Sequence, residues 1–163
     1  MNMEEIFLLL LFGEIAMQHK VFLDLEGVLI DYWNNRNIHF KTNKQLTSFF
    51  ESVGSNKCNI FSYAIDNMQD YVAFMKFANN LELAFNIDID DVLTVVEIMD
   101  ITNSTGIMWE FKMEGKRNGF ISYVSQITKN TNQLISFYLL DDNVENEIVH
   151  LSQFVTIHFI KVE

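Results

Sequence analysis

Two short apolar runs, each ending on acidic residues, constrain this chain more than any other feature. Residues 20–25 read KVFLDL, and residues 134–140 read LISFYLL before Asp141 and Asp142. Runs of this length, apolar on successive positions, suit strands covered on both faces. Between them the hydrophobic pattern changes to helical spacing. Leu46, Phe49, Phe50 and Val53 fall on one helical face, behind a capping pattern from Thr42 to Gln45 and ahead of a stop at Gly54. Strands alternating with helices predict a parallel sheet with right-handed crossovers, and chemistry beyond the carboxyl ends of its strands.

The rest of the chain fills in that frame. Residues 58–62 (CNIFS) read as a second strand, followed by a helix capped by Asp66 and carrying Met68, Tyr71, Val72, Met75 and Ala78 at helical spacing. Residues 92–101 (VLTVVEIMDI) are rich in β-branched side chains and predict a third strand, with 107–112 returning as a hairpin partner after a turn at 103–106. Alternation over 81–89 leaves that segment open between helix and strand. Phe120, Tyr123, Val124 and Ile127 mark a further helix, and a short helix to His150 and a strand at 154–161 complete the reading. The whole is read as one domain over 1–163, an α/β Rossmann-like fold of three layers.

Composition narrows the function classes. A hydrophobic fraction of 49% in 163 residues supports one buried core. A formal net charge of -11 argues against bulk nucleic-acid binding. Lys112, Lys116, Arg117 and Lys129 form the single basic cluster, read as a solvated helix face. Cys58 is the only cysteine, so no internal disulfide forms, and the residue reads as a small core side chain. The apolar run over 6–12 is too short to span a bilayer and follows Glu4 and Glu5, which excludes a secretory signal. It is expected to pack on the domain as part of an N-terminal segment, 1–18, and the chain is expected in the cytoplasm. The absence of proline and the abundance of asparagine suit an AT-rich coding sequence such as many phages have. In that case the compartment is the host cytoplasm.

The strand ends carry the chemistry. The first strand delivers Asp24 and then Glu26, the second Ser62, the fourth Asp141 and Asp142, and Lys116 opens the helix before the fourth. Clustered carboxylates repel one another unless a hard cation such as Mg²⁺ offsets them, and an ammonium and a hydroxyl beside them suit a phosphate. His19, His39, His150 and His158 show no ligand spacing, and Asp88, Asp90 and Asp91 read as a solvated acidic turn rather than a calcium loop.

Residues 21–29, VFLDLEGVL, resemble the first motif of the haloacid dehalogenase (HAD) superfamily, an apolar strand followed by DxDGT. Residues 58–62 are similar to its second motif, Lys116 (with Lys112 as runner-up) to its third, and Leu139-Leu140-Asp141-Asp142 to its fourth. The matches fall in order over residues 20–161. The resemblance implies an aspartate-nucleophile phosphohydrolase. Asp24 would attack phosphorus, Glu26 would act as general acid and base, Ser62 would bind the phosphoryl group, and Lys116 would balance its charge. Asp24, Asp141, Asp142 and the Glu26 backbone carbonyl would hold Mg²⁺. Glu26 stands where the family usually has Asp, and Val28 where it commonly has Thr.

A large cap domain does not fit between these motifs. Residues 30–40, with Tyr32, Trp33 and Asn34, are expected to form a flap, and 81–113 a small hairpin insertion. Two functions follow: a Mg²⁺-dependent phosphomonoesterase acting on a nucleotide, a nucleic-acid end or a phosphoprotein, and a catalytically degenerate HAD-like protein that binds a host protein such as a polymerase or a defence factor.

Overall fold

The computed structural model describes residues 2–5, 17–33, 38–41 and 43–163. Most of the expected N-terminal segment, the centre of the expected flap, and Thr42 lie outside the described residues. Among the described residues a six-stranded sheet runs in the order β3-β2-β1-β4-β6-β5. Its strands are β1 (Gln18–Leu23), β2 (Lys57–Phe61), β3 (Asp88–Leu93), β4 (Ile135–Asp141), β5 (Glu147–His150) and β6 (Val155–Lys161). All pairings are parallel except the β5–β6 edge pair. The architecture is α/β and Rossmann-like: after β3 the chain returns to pair β4 with the other side of β1. The β1–β4 gap is therefore the point where strand order reverses, and open sheets of this kind place ligands there.

Each helix forms for a local reason and buries one face. Helix α1 (Lys44–Val53) starts at Asn43, whose side chain accepts from the Gln45 N–H, and stops at Gly54 with φ 76°. Helix α2 (Met68–Phe85) starts at Asn67, which accepts from Gln69 and Asp70, so the expected cap Asp66 is displaced by its neighbour. Leu46, Phe50, Phe74, Ala78 and Leu81 from these two helices pack on Val21, Leu23, Ile60 and Leu140. Helices α3 (Val95–Ile101), α4 (Met108–Met113) and α5 (Lys116–Ile127) cover the opposite face. There Phe120 meets Phe22 and Phe61 edge-on, at 5.1 and 5.0 Å between ring centroids. The two apolar clusters with the sheet between them make three layers.

Four expected elements are corrected. The strand over 92–101 ends at Leu93, because Thr94 accepts from the Glu97 N–H while Glu97 accepts from the Thr94 N–H. That reciprocal capping box turns a β-branched stretch into α3. Residues 107–112 belong to α4, so 81–113 holds the end of α2, β3, α3 and α4 and no inserted hairpin. Asp88, Asp90 and Asp91 lie on β3, across a register shift opposite Cys58 and Asn59, and do not form a turn. The short helix ending at His150 is instead β5, a four-residue edge strand held antiparallel to β6.

The base of the expected flap is closed. Ile30 bridges Phe40, the Asp31 N–H donates to the His39 carbonyl at 3.0 Å, and the Lys41 N–H donates to the Leu29 carbonyl at 2.8 Å. Trp33 packs on Phe74 of α2. Among the described residues no helix is long and apolar enough to cross a membrane.

Candidate active site

Parallel pairing aligns the ends of β1 and β4, with Leu23 opposite Leu140, so Asp24 and Asp141 emerge side by side. Both are buried, Asp141 completely. The ammonium of Lys116, at the first turn of α5, stands 2.5 Å from Asp24 Oδ1 and 2.7 Å from Asp141 Oδ2. With only 12% of its side chain exposed, this lysine belongs to the site and not to a solvated helix face. Asp24 Oδ1 also accepts from the Leu25 N–H at 2.8 Å, while Asp141 Oδ1 accepts from the Asn143 N–H at 2.8 Å. Asp24 Oδ2 takes neither of the contacts made by Oδ1.

Burial raises the Asp24 carboxyl from 3.8 to about 6, opposed by Lys116 and reinforced by the Asp141 charge. At neutral pH the group is ionised but held close to its titration. The Asp142 carboxyl is also raised, first by burial and then by the neighbouring Asp141 carboxyl. Carboxylate oxygens of Asp24, Asp141 and Asp142 lie within 4.8 Å of one another. Asp142 Oδ1 is buried without a hydrogen-bond partner. Clustered acidic oxygens and one orphaned lone pair fit a hard divalent cation. The Glu26 carboxylate is not in this cluster; the residue is half-buried on the cavity wall.

That cavity holds about 560 Å³ and opens beyond the carboxyl ends of β1, β2 and β4. Every residue predicted to act catalytically, Asp24, Glu26, Ser62 and Lys116, lines it. Ser62 is buried at the end of β2, and its Oγ accepts from the Ala64 N–H at 3.2 Å, which leaves the hydroxyl proton to donate. Lys112, the alternative to Lys116, is ion-paired with Asp66 instead of with the carboxylate cluster. Arg117 forms a two-pronged pair with Glu147 on the surface.

Beyond the residues expected to act, several others shape the site. Gly27, at φ 80°, presses against Asp142 so closely that a Cβ there would stand 2.1 Å from Asp142 Oδ2. Its carbonyl accepts from Lys41 Nζ at 2.9 Å, which ties the flap base to the turn after Asp24. Tyr63 lies beneath the Lys116 ammonium, 5.9 Å from ring centroid to Nζ. Its buried phenol rests on Gly119, where a Cβ would come within 2.0 Å of the oxygen. Asp31 and Asn143 complete the wall. Gly27, directly after the D-x-E string, was visible as a tight-turn signal; Tyr63 and Asn143 carried none beyond adjacency to Ser62 and Asp142.

No family model, curated protein or solved structure matches this chain.

Proposed function

We propose that this chain is a HAD-like phosphohydrolase with a minimal cap, Mg²⁺-dependent, acting on a phosphomonoester of a nucleotide, a nucleic-acid end or a phosphoprotein. The observation that carries this reading is the Asp24–Lys116–Asp141 bridge at the strand-order reversal, inside a cavity that Ser62 and Glu26 also line. Mg²⁺, held by Asp24, Asp141 and Asp142, would neutralise phosphate charge and polarise the phosphorus.

The chain's own groups supply the rest. A carboxylate oxygen of Asp24 attacks phosphorus, the bond to the leaving oxygen breaks, and Glu26 gives that oxygen its proton. The aspartyl-phosphate then loses its phosphoryl group to a water whose proton Glu26 takes back, releasing inorganic phosphate and restoring Asp24. Lys116 keeps Asp24 ionised and offsets charge on the phosphoryl oxygens, while the Ser62 hydroxyl orients one of them. Gly27 lets the turn approach Asp142 closely enough for the cluster to form.

Purified protein with Mg²⁺ is expected to release phosphate from p-nitrophenyl phosphate, and Asp24→Asn is expected to lower kcat by at least about a thousandfold. Activity that survives this substitution undiminished overturns the mechanism.

One observation favours a second reading, a HAD-like binding protein. Met68, Val72, Met75 and Leu83 are exposed along the outer side of α2, Leu83 at 84%. Exposed apolar surface of this kind marks interaction sites. Capture of a host protein that survives Asp24→Asn but is lost with Met75→Glu supports this second reading; the opposite pattern removes it.

A further inference from the structure

Two ammonium groups line the cavity, and the mechanism uses one. Lys116 lies deep, paired with Asp24 and Asp141 where the reacting phosphoryl group is placed. Lys112, on α4, lines the same cavity nearer solvent, with 29% of its side chain exposed. Its only ion-pair partner among the described residues is Asp66, which lies outside the cavity wall. An ammonium has three donors, so the contact with Asp66 orients Lys112 and leaves donors for a ligand.

The walls differ in sign. The flap side contributes Glu26 and Asp31, and the α4–α5 side contributes Lys112 and Lys116. A volume of about 560 Å³ exceeds what a phosphoryl group alone occupies, so part of the leaving group sits inside. We infer that Lys112 is a specificity-determining residue that binds a second phosphate of the substrate, making small bisphosphates the preferred class; this rests on the phosphohydrolase reading. A dianionic phosphate is favoured over a carboxylate because the ligand must share the ammonium with Asp66, and the higher charge competes better.

Charge also sets the size of the substrate. A polyanionic strand needs a track of free cations beyond the reacting end. Here the chain carries a net charge of -11, and Arg117, next to Lys116, is locked to Glu147. Lys112 therefore reads one extra phosphate and no longer polymer.

The test compares kcat/KM for thymidine monophosphate and for thymidine bisphosphate, phosphorylated on both the 3′ and 5′ oxygens, with Mg²⁺ present. Wild type is expected to prefer the bisphosphate by about tenfold, the worth of one charge-assisted contact. Lys112→Met is expected to bring the ratio close to one, and Lys112→Arg to keep most of it, with circular dichroism confirming that both variants fold. A ratio near one in wild type, or a preference untouched by Lys112→Met, overturns the assignment of Lys112 and leaves the phosphohydrolase standing. Faster release from a phosphorylated oligonucleotide than from the bisphosphate overturns the size selection. Release from no substrate overturns the phosphohydrolase reading and this inference together.

Discussion

The same strands end in two cavities, and the cavities treat charge in opposite ways. Beyond the carboxyl ends, in about 560 Å³, Asp24 and Asp141 are buried around the ammonium of Lys116. At the amino ends a cavity of about 400 Å³ is lined by His19, Lys20, Lys57, Asp90 and Asp91, all exposed. Exposed charges are screened by water and cost little. Buried ones are expensive unless each has a partner. Charge alone does not distinguish a site from a surface; the difference is that one end has removed its charges from water.

Removing the central cation breaks that contrast most sharply. Lys116→Met leaves two buried carboxylates facing each other, and at pH 8 without divalent cations it is expected to cost about 3–5 kcal/mol by urea unfolding. Lys57→Met, at the opposite cavity, is expected to stay within about 0.5 kcal/mol. Equal effects would erase the distinction between the two ends.

The pH dependence follows next. Asp24 is raised in the folded state, from 3.8 to about 6, so the native protein holds this proton more tightly than the unfolded chain. Its contribution to stability is fully present below pH 4 and lost as pH rises through about 6. Without metal, that loss amounts to about 3 kcal/mol at most. Unfolding free energies measured from pH 5 to 8 are expected to fall more steeply in wild type than in Asp24→Asn. Parallel profiles would show that Asp24 is not the buried acid.

Two glycines sharpen the comparison on a finer scale. Gly27 and Gly54 both have positive φ, 80° and 76°, but only Gly27 has a neighbour within reach of a Cβ. Gly54→Ala carries backbone strain alone, about 1 kcal/mol. Gly27→Ala adds a collision with Asp142 and is expected to cost about 3 kcal/mol in chemical denaturation. Similar costs would mean that Asp142 swings aside freely.

The site was more legible in the sequence than parts of the fold. Asp24, Ser62, Lys116, Asp141 and Asp142 could be brought together because parallel strands send their carboxyl ends to one edge, whatever their distance along the chain. No such rule governs α3. Val92, Val95, Val96 and Ile98 advertise a strand, and a capping box between Thr94 and Glu97 outweighs them. The box is itself legible as T-x-x-E, a specific hydrogen-bond pattern that prevails over β-branched propensity. β5 is different. Its four residues draw their strand character from pairing with β6, an interaction between segments that local spacing does not encode.

Gly119 has a consequence for how this site tolerates change. Because the Tyr63 phenol oxygen occupies the space where a side chain would begin, anything larger than glycine must push that ring aside, toward the cavity it lines. Lys116 lies one turn earlier on the same helix. A single methyl group at 119 would reach the site at second hand, by moving the ring beneath the Lys116 ammonium, though residue 119 itself never touches the carboxylates.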